Sequence, residues 1–107
     1  MAAPFDRDAY YPLKAFAFEQ ITVSTTSVGF TAGTVSPADG TQRAIAAYVQ
    51  VENAALRHRI DADPTAAVGH FAEPGDGFWV WGSADVDSIE FIRRDGVDAQ
   101  INVTYYR

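Results

Sequence analysis

Apolar and polar positions alternate with a period of two over most of this chain. In residues 44–52, Ile45, Ala47, Val49 and Val51 fall on one side, with Tyr48 and Gln50 on the other. That is the pattern of a half-buried strand. Residues 56–61 repeat it: Leu56, His58 and Ile60 share one face, Arg57, Arg59 and Asp61 the other. The spacing predicts that this strand pairs with the preceding one as a hairpin through Asn53-Ala54-Ala55. Residues 14–24 also read as a strand, but the phase slips between Phe18 and Ile21, which predicts a bulge near Glu19 and Gln20. Val28 to Thr31 is a further short apolar segment. Residues 78–82, 86–94 and 99–106 complete the set. The alanine-rich run 43–60 has helix-forming residues, but Val49, Val51 and Ile60 and the alternation favour strand.

Turn residues punctuate these segments. "SPADGTQ" at 36–42 and "EPGDG" at 73–77 are loops by their Pro, Asp and Gly content. "DADPT" at 61–65 ends a strand: Pro64 pushes Asp63 toward extended geometry, and Asp61 or Asp63 can accept turn amides. Gly69 permits a positive φ before His70. Asp95-Gly96 is a favoured hairpin dipeptide, which predicts that the last two strands are adjacent. Six to eight short strands without a long helix imply an all-β fold, a compact antiparallel β-sandwich or jelly-roll-like barrel. Residues 1–13 hold two prolines and no period. They read as an irregular N-terminal arm on a single domain spanning 14–107.

Composition narrows the function. With 107 residues, one modest core is expected. The net charge of −6, with Lys14 the sole lysine, disfavours nucleic-acid binding, which needs clustered cations. The absence of cysteine excludes disulfides and thiolate metal sites. No run reaches membrane-spanning length, and the N-terminal residues lack the basic and apolar regions of a signal peptide.

The candidate chemistry is sparse. His58 and His70 stand twelve positions apart, which matches no zinc signature. Asp61, Asp63 and Asp76 lack the ordered spacing of a calcium loop. No serine sits in a nucleophile elbow, and His70 with Asp76 is a conceivable acid–base pair. The expectation is therefore no catalytic residue, no cofactor and no metal. His58, flanked by Leu56 and Ile60, should point inward. Arg57 and Arg59 should face a neighbour or pair with Glu52 or Glu90. In "FWVWG" at 78–82, Trp79 and Trp81 lie opposite Phe78 and Val80; both faces can be buried in a sandwich corner, or the tryptophan face can be a partner patch or a sugar-stacking platform. With the arm's Phe5, Tyr10 and Tyr11, these residues form the predicted partner interface: Phe5, Tyr10, Tyr11, Arg57, Arg59, Trp79 and Trp81. "NVT" at 102–104 matches a glycosylation acceptor, and a surface strand explains it equally well.

An ordered set of short motifs runs through residues 44–106: Val51-Glu52, Arg57, Arg59, Asp61, Pro64-Thr65, Gly69-His70 and Gly75-Asp76, then "FIRR" and "VTYY". In order and spacing it resembles the small virion structural proteins of tailed bacteriophages, the head decoration or cement type with a β-sandwich fold. "DADPT" departs from that pattern, where glycine follows the first aspartate. The resemblance implies a structural role on the particle, on the head or on the tail, and carries no catalytic residue. The leading expectation is a non-enzymatic head decoration protein on the particle surface, made in the host cytoplasm, stabilising the head through the major capsid protein or other virion proteins. A homo-oligomer is expected, with a trimer as one candidate, and no nucleic-acid or membrane partner. A tail or neck accessory protein and a carbohydrate-binding module are the alternatives.

Overall fold

The computed structural model describes residues 13–107; the arm residues Phe5, Tyr10 and Tyr11 lie outside this range. Seven strands and two short helices follow in the order β1 (Ala15–Val23), α1 (Ala32–Val35), β2 (Ala46–Glu52), β3 (Leu56–Arg59), β4 (His70–Ala72), β5 (Gly77–Trp81), α2 (Ser83–Ser88), β6 (Glu90–Arg93) and β7 (Ala99–Tyr106). They form two antiparallel sheets. The larger has the order β1-β7-β2-β5 and the smaller β4-β3-β6. The all-β sandwich expected from the alternation is the fold.

The inner faces supply the core. Val49, Val51, Ile101, Val103, Tyr105 and Val23 from the larger sheet meet Leu56 and Phe91 from the smaller, all fully buried. Phe30, Phe78 and His58 close around the Phe91 ring at centroid distances of 5.6, 6.4 and 6.0 Å. Period-two patterning forces this result: each strand buries one row of β-branched or aromatic side chains, and two sheets are the smallest unit that covers both rows.

Both hairpins expected from local signals are absent. β2 pairs with β5 and β7, and β3 pairs with β4 and β6, so residues 53–55 carry the chain from one sheet to the other. Asn53 makes that corner with φ of 77°, a left-handed conformation that asparagine tolerates better than most residues. Its amide donates to the Asp98 carbonyl at 2.9 Å. The loop after β6 returns to the larger sheet, and no hairpin forms at Asp95-Gly96. The Asp98 carboxylate accepts from Ser24 at 2.8 Å and Arg93 at 2.7 Å, tying three segments at this corner.

Other boundaries also move. The irregularity in β1 lies between Ala15 and Ala17, not at Glu19 and Gln20. Beyond it the register is continuous, so Phe18 points outward, 63% exposed, and Glu19 points toward the core side. There its carboxylate accepts the hydroxyls of Tyr105 and Thr31; burial and this carboxylate raise the Tyr105 phenol far above its ordinary range. The segment at 28–31 contributes one isolated bridge, Val28 to Phe91. The strand expected at 86–94 starts late, because Ser83–Ser88 forms a helix. Val86 and Ile89, three apart and both buried, carry a helical spacing there. His70–Ala72 is a strand that alternation did not reveal, being three residues long.

Candidate functional site

The outer face of the larger sheet carries the first cluster. Phe18, Thr104, Tyr48 and Trp79 lie in one cross-strand row, and Tyr106, Ala46 and Trp81 in the next. The Trp79 and Trp81 rings stack, with centroids 4.9 Å apart and an interplanar angle of 19°. Tyr48 meets Trp79 edge-on at 5.2 Å, and Tyr106 packs on it at 5.0 Å. Tyr48 also lies across Gly77, where a Cβ would come within 2.1 Å of its hydroxyl. Glycine at this strand position thus admits the tyrosine ring. Trp81 is 47% exposed. A polar ladder flanks the rings: Gln20 donates to Asn102, which donates to Glu52, at 2.9 and 2.7 Å.

The second cluster lines a cleft of about 360 Å³ between β5 and the smaller sheet. His58 and His70 face each other in register, with centroids 5.6 Å apart. His58 stacks flat on Phe78 at 4.5 Å. Ile60, Ile89, Asp61 and Asp85, with Trp79, Val80 and Trp81 of β5, complete the walls. Burial, with His70 adding a like charge, lowers the His58 pKa to about 4, so it is neutral at pH 7 and points inward as its alternation requires. His70 and Asp76 share a neighbouring recess, but the Asp76 carboxylate caps its own turn by accepting the Glu73 amide at 2.8 Å. Among the described residues no three His, Asp or Glu side chains converge to hold a metal ion.

The third cluster is the outer face of the smaller sheet. Arg57 lies there between Phe71 and Ile92. Its guanidinium does not reach Glu52 or Glu90: it donates to the carbonyls of Ala66 and Gly69, both at 3.0 Å. Arg57 thus holds the 61–69 loop. The turn amides of that loop go to Thr65, whose hydroxyl accepts from Ala67 and Val68. Asp61 instead takes a two-point bond from Arg59 at 2.8 and 3.0 Å, which lowers the Asp61 pKa. Gly69 has φ of 145°, and a Cβ there would press on Arg57 and Pro64, so the positive φ and the tight fit both call for glycine.

Comparison with family models, curated proteins and solved structures finds no match to this chain. Its reading therefore rests on its own geometry. Of the residues predicted as one interface, Trp79 and Trp81 lie on the outer face of the larger sheet, and Arg57 and Arg59 on that of the smaller. The inner faces are packed together, so these pairs point in opposite directions. Alternation places Tyr48 on the side opposite Val49 and Val51. Phe18, Tyr106, Phe71 and Arg94 were missed, because cross-strand register brings them beside the named residues and register is not written in any one strand.

Proposed function

We propose that this protein is a non-enzymatic structural component of a tailed-phage particle, a head decoration protein that docks on the major capsid protein through the outer face of its larger sheet. The observation that carries this reading is the set of aromatic rings across that face, exposed at Phe18 on one edge strand and at Trp81 on the other, where the Trp79–Trp81 stack lies. Aromatic residues on a rigid surface, framed by a polar ladder, have the make-up of a protein interface core and rim. The resemblance of the motif series 51–76 to small virion proteins supports the particle as its place.

The rival use of the tryptophans is a sugar platform, in which stacking needs indole faces turned outward side by side. Here the two rings face each other, which favours a protein partner. The test is to mix expanded capsids with the parent and with Trp81→Ala and Phe18→Ser variants, measuring occupancy. Docking predicts saturable binding by the parent and at least a tenfold weaker binding by each variant, about 1.4 kcal/mol or more. Equal occupancy, or glycan-array binding without capsid binding, would overturn the reading.

A further inference from the structure

We propose that the outer face of the smaller sheet is a second docking site, built to receive a carboxylate-bearing segment of a partner protein. Phe71, on the edge strand β4, is 42% exposed. The Arg94 guanidinium crosses β3 to sit 4.5 Å from the Phe71 ring centre, and the Arg57 guanidinium lies 5.8 Å from it. Neither charge is closely matched. Among the described residues Arg57 makes no ion pair; its bonds go to two neutral carbonyls. The Nε of Arg94 is 4.0 Å from the Asp95 carboxylate, too far for a hydrogen bond. Val68, 54% exposed, sits in the loop that Arg57 holds.

Charge complementarity identifies the occupant. The chain carries a net charge of −6 and eight cationic residues, yet two loosely matched arginines, Arg57 and Arg94, meet on this face, while Arg59 beside them is matched by Asp61. Arg57 donates through Nε and Nη1 to the loop, which leaves Nη2 to donate outward. Guanidinium groups laid against an aromatic ring are pre-oriented, so a carboxylate can take two N–H bonds while its apolar neighbour covers Phe71. Because the loop carbonyls hold Arg57 in place, little side-chain entropy remains to be lost on binding. This face is opposite the aromatic row, so with the proposed capsid docking it would let one molecule bridge two neighbours; the site itself does not depend on that docking.

The probe is the capped tripeptide Glu-Leu-Glu, with Gln-Leu-Gln as neutral control, followed by NMR on the arginine Nε–H and Phe71 ring signals of the full chain. The expected result is saturable shifts at Arg57, Arg94 and Phe71 with the acidic peptide alone, weakened by salt. Arg94→Glu should weaken binding about tenfold or more while leaving the amide spectrum dispersed, and Arg94→Lys should recover part of it. Equal binding of both peptides, shifts confined elsewhere, no shifts, or unchanged affinity in Arg94→Glu would overturn the proposal. Trp81→Ala should leave peptide binding intact, so failure here and failure of capsid docking give separate readouts.

Discussion

His58 lies flat on Phe78 with His70 opposite, and its pKa of about 4 sits below its unfolded value. The sign of the pH effect follows. Above pH ~6.5 both states are neutral and the residue is indifferent. As pH falls below that, the unfolded chain takes the proton first, and native stability is lost until the folded pKa is passed. Because the ring is only partly buried, the loss between pH 7 and pH 5 should be about 1 kcal/mol, less than the full shift implies. Urea midpoints at the two pH values should show this loss in the parent and a smaller one in His58→Phe, which keeps the stack on Phe78. The same drop in both would place the pH dependence elsewhere. The inward placement of this histidine was legible from Leu56 and Ile60. Its stacking and its partner across the strand were not, because both come from elements distant in sequence.

At the scale of strands and their connections, the 53–55 corner decides the topology. Local composition around Asp95-Gly96 and the short 53–55 link both resemble hairpin turns, yet each carries the chain between sheets. Asn53 supplies the left-handed backbone and a bond to the Asp98 carbonyl. Asn53→Ala should cost about 1–2 kcal/mol through lost hydrogen bonding and a strained φ, and Asn53→Gly should cost less, since glycine accepts that φ. Chemical denaturation of the two variants checks the order; alanine no worse than glycine would mean the backbone conformation is not limiting. Strand positions were legible because alternation is a local property. Pairing was not, because a turn dipeptide fixes a hairpin only when both strands prefer each other over strands arriving later. The Ser83–Ser88 helix escaped notice for a similar reason: in six residues, one buried valine carries little periodicity.

Across the domain, Phe18 and Phe91 make a controlled contrast. Both are phenylalanines in strands. Phe91 is fully buried between the sheets, and Phe18 is 63% exposed. Phe91→Ala should cost about 3–5 kcal/mol by opening a cavity that Phe30, Phe78 and His58 cannot fill. Phe18→Ser should change stability by no more than about 0.5 kcal/mol, while lowering particle occupancy if the outer face docks. A thermal scan of both variants separates core from surface; a large loss from Phe18→Ser would show that the aromatic row belongs to the fold.

The all-β class, most strand positions, the inward His58 and the placement of Trp79 and Trp81 opposite Phe78 and Val80 follow from the linear pattern, because side-chain alternation is set by the pleat of each strand alone. The arginines and tryptophans predicted as partner-interface residues lie on two different faces. Strand pairing sends β3 to one sheet and β5 to the other, and the packing of the two inner faces then turns Arg57 and Trp81 to opposite sides. Which strands pair is settled by the competition of all of them for one core, and that competition exists only once the chain is folded.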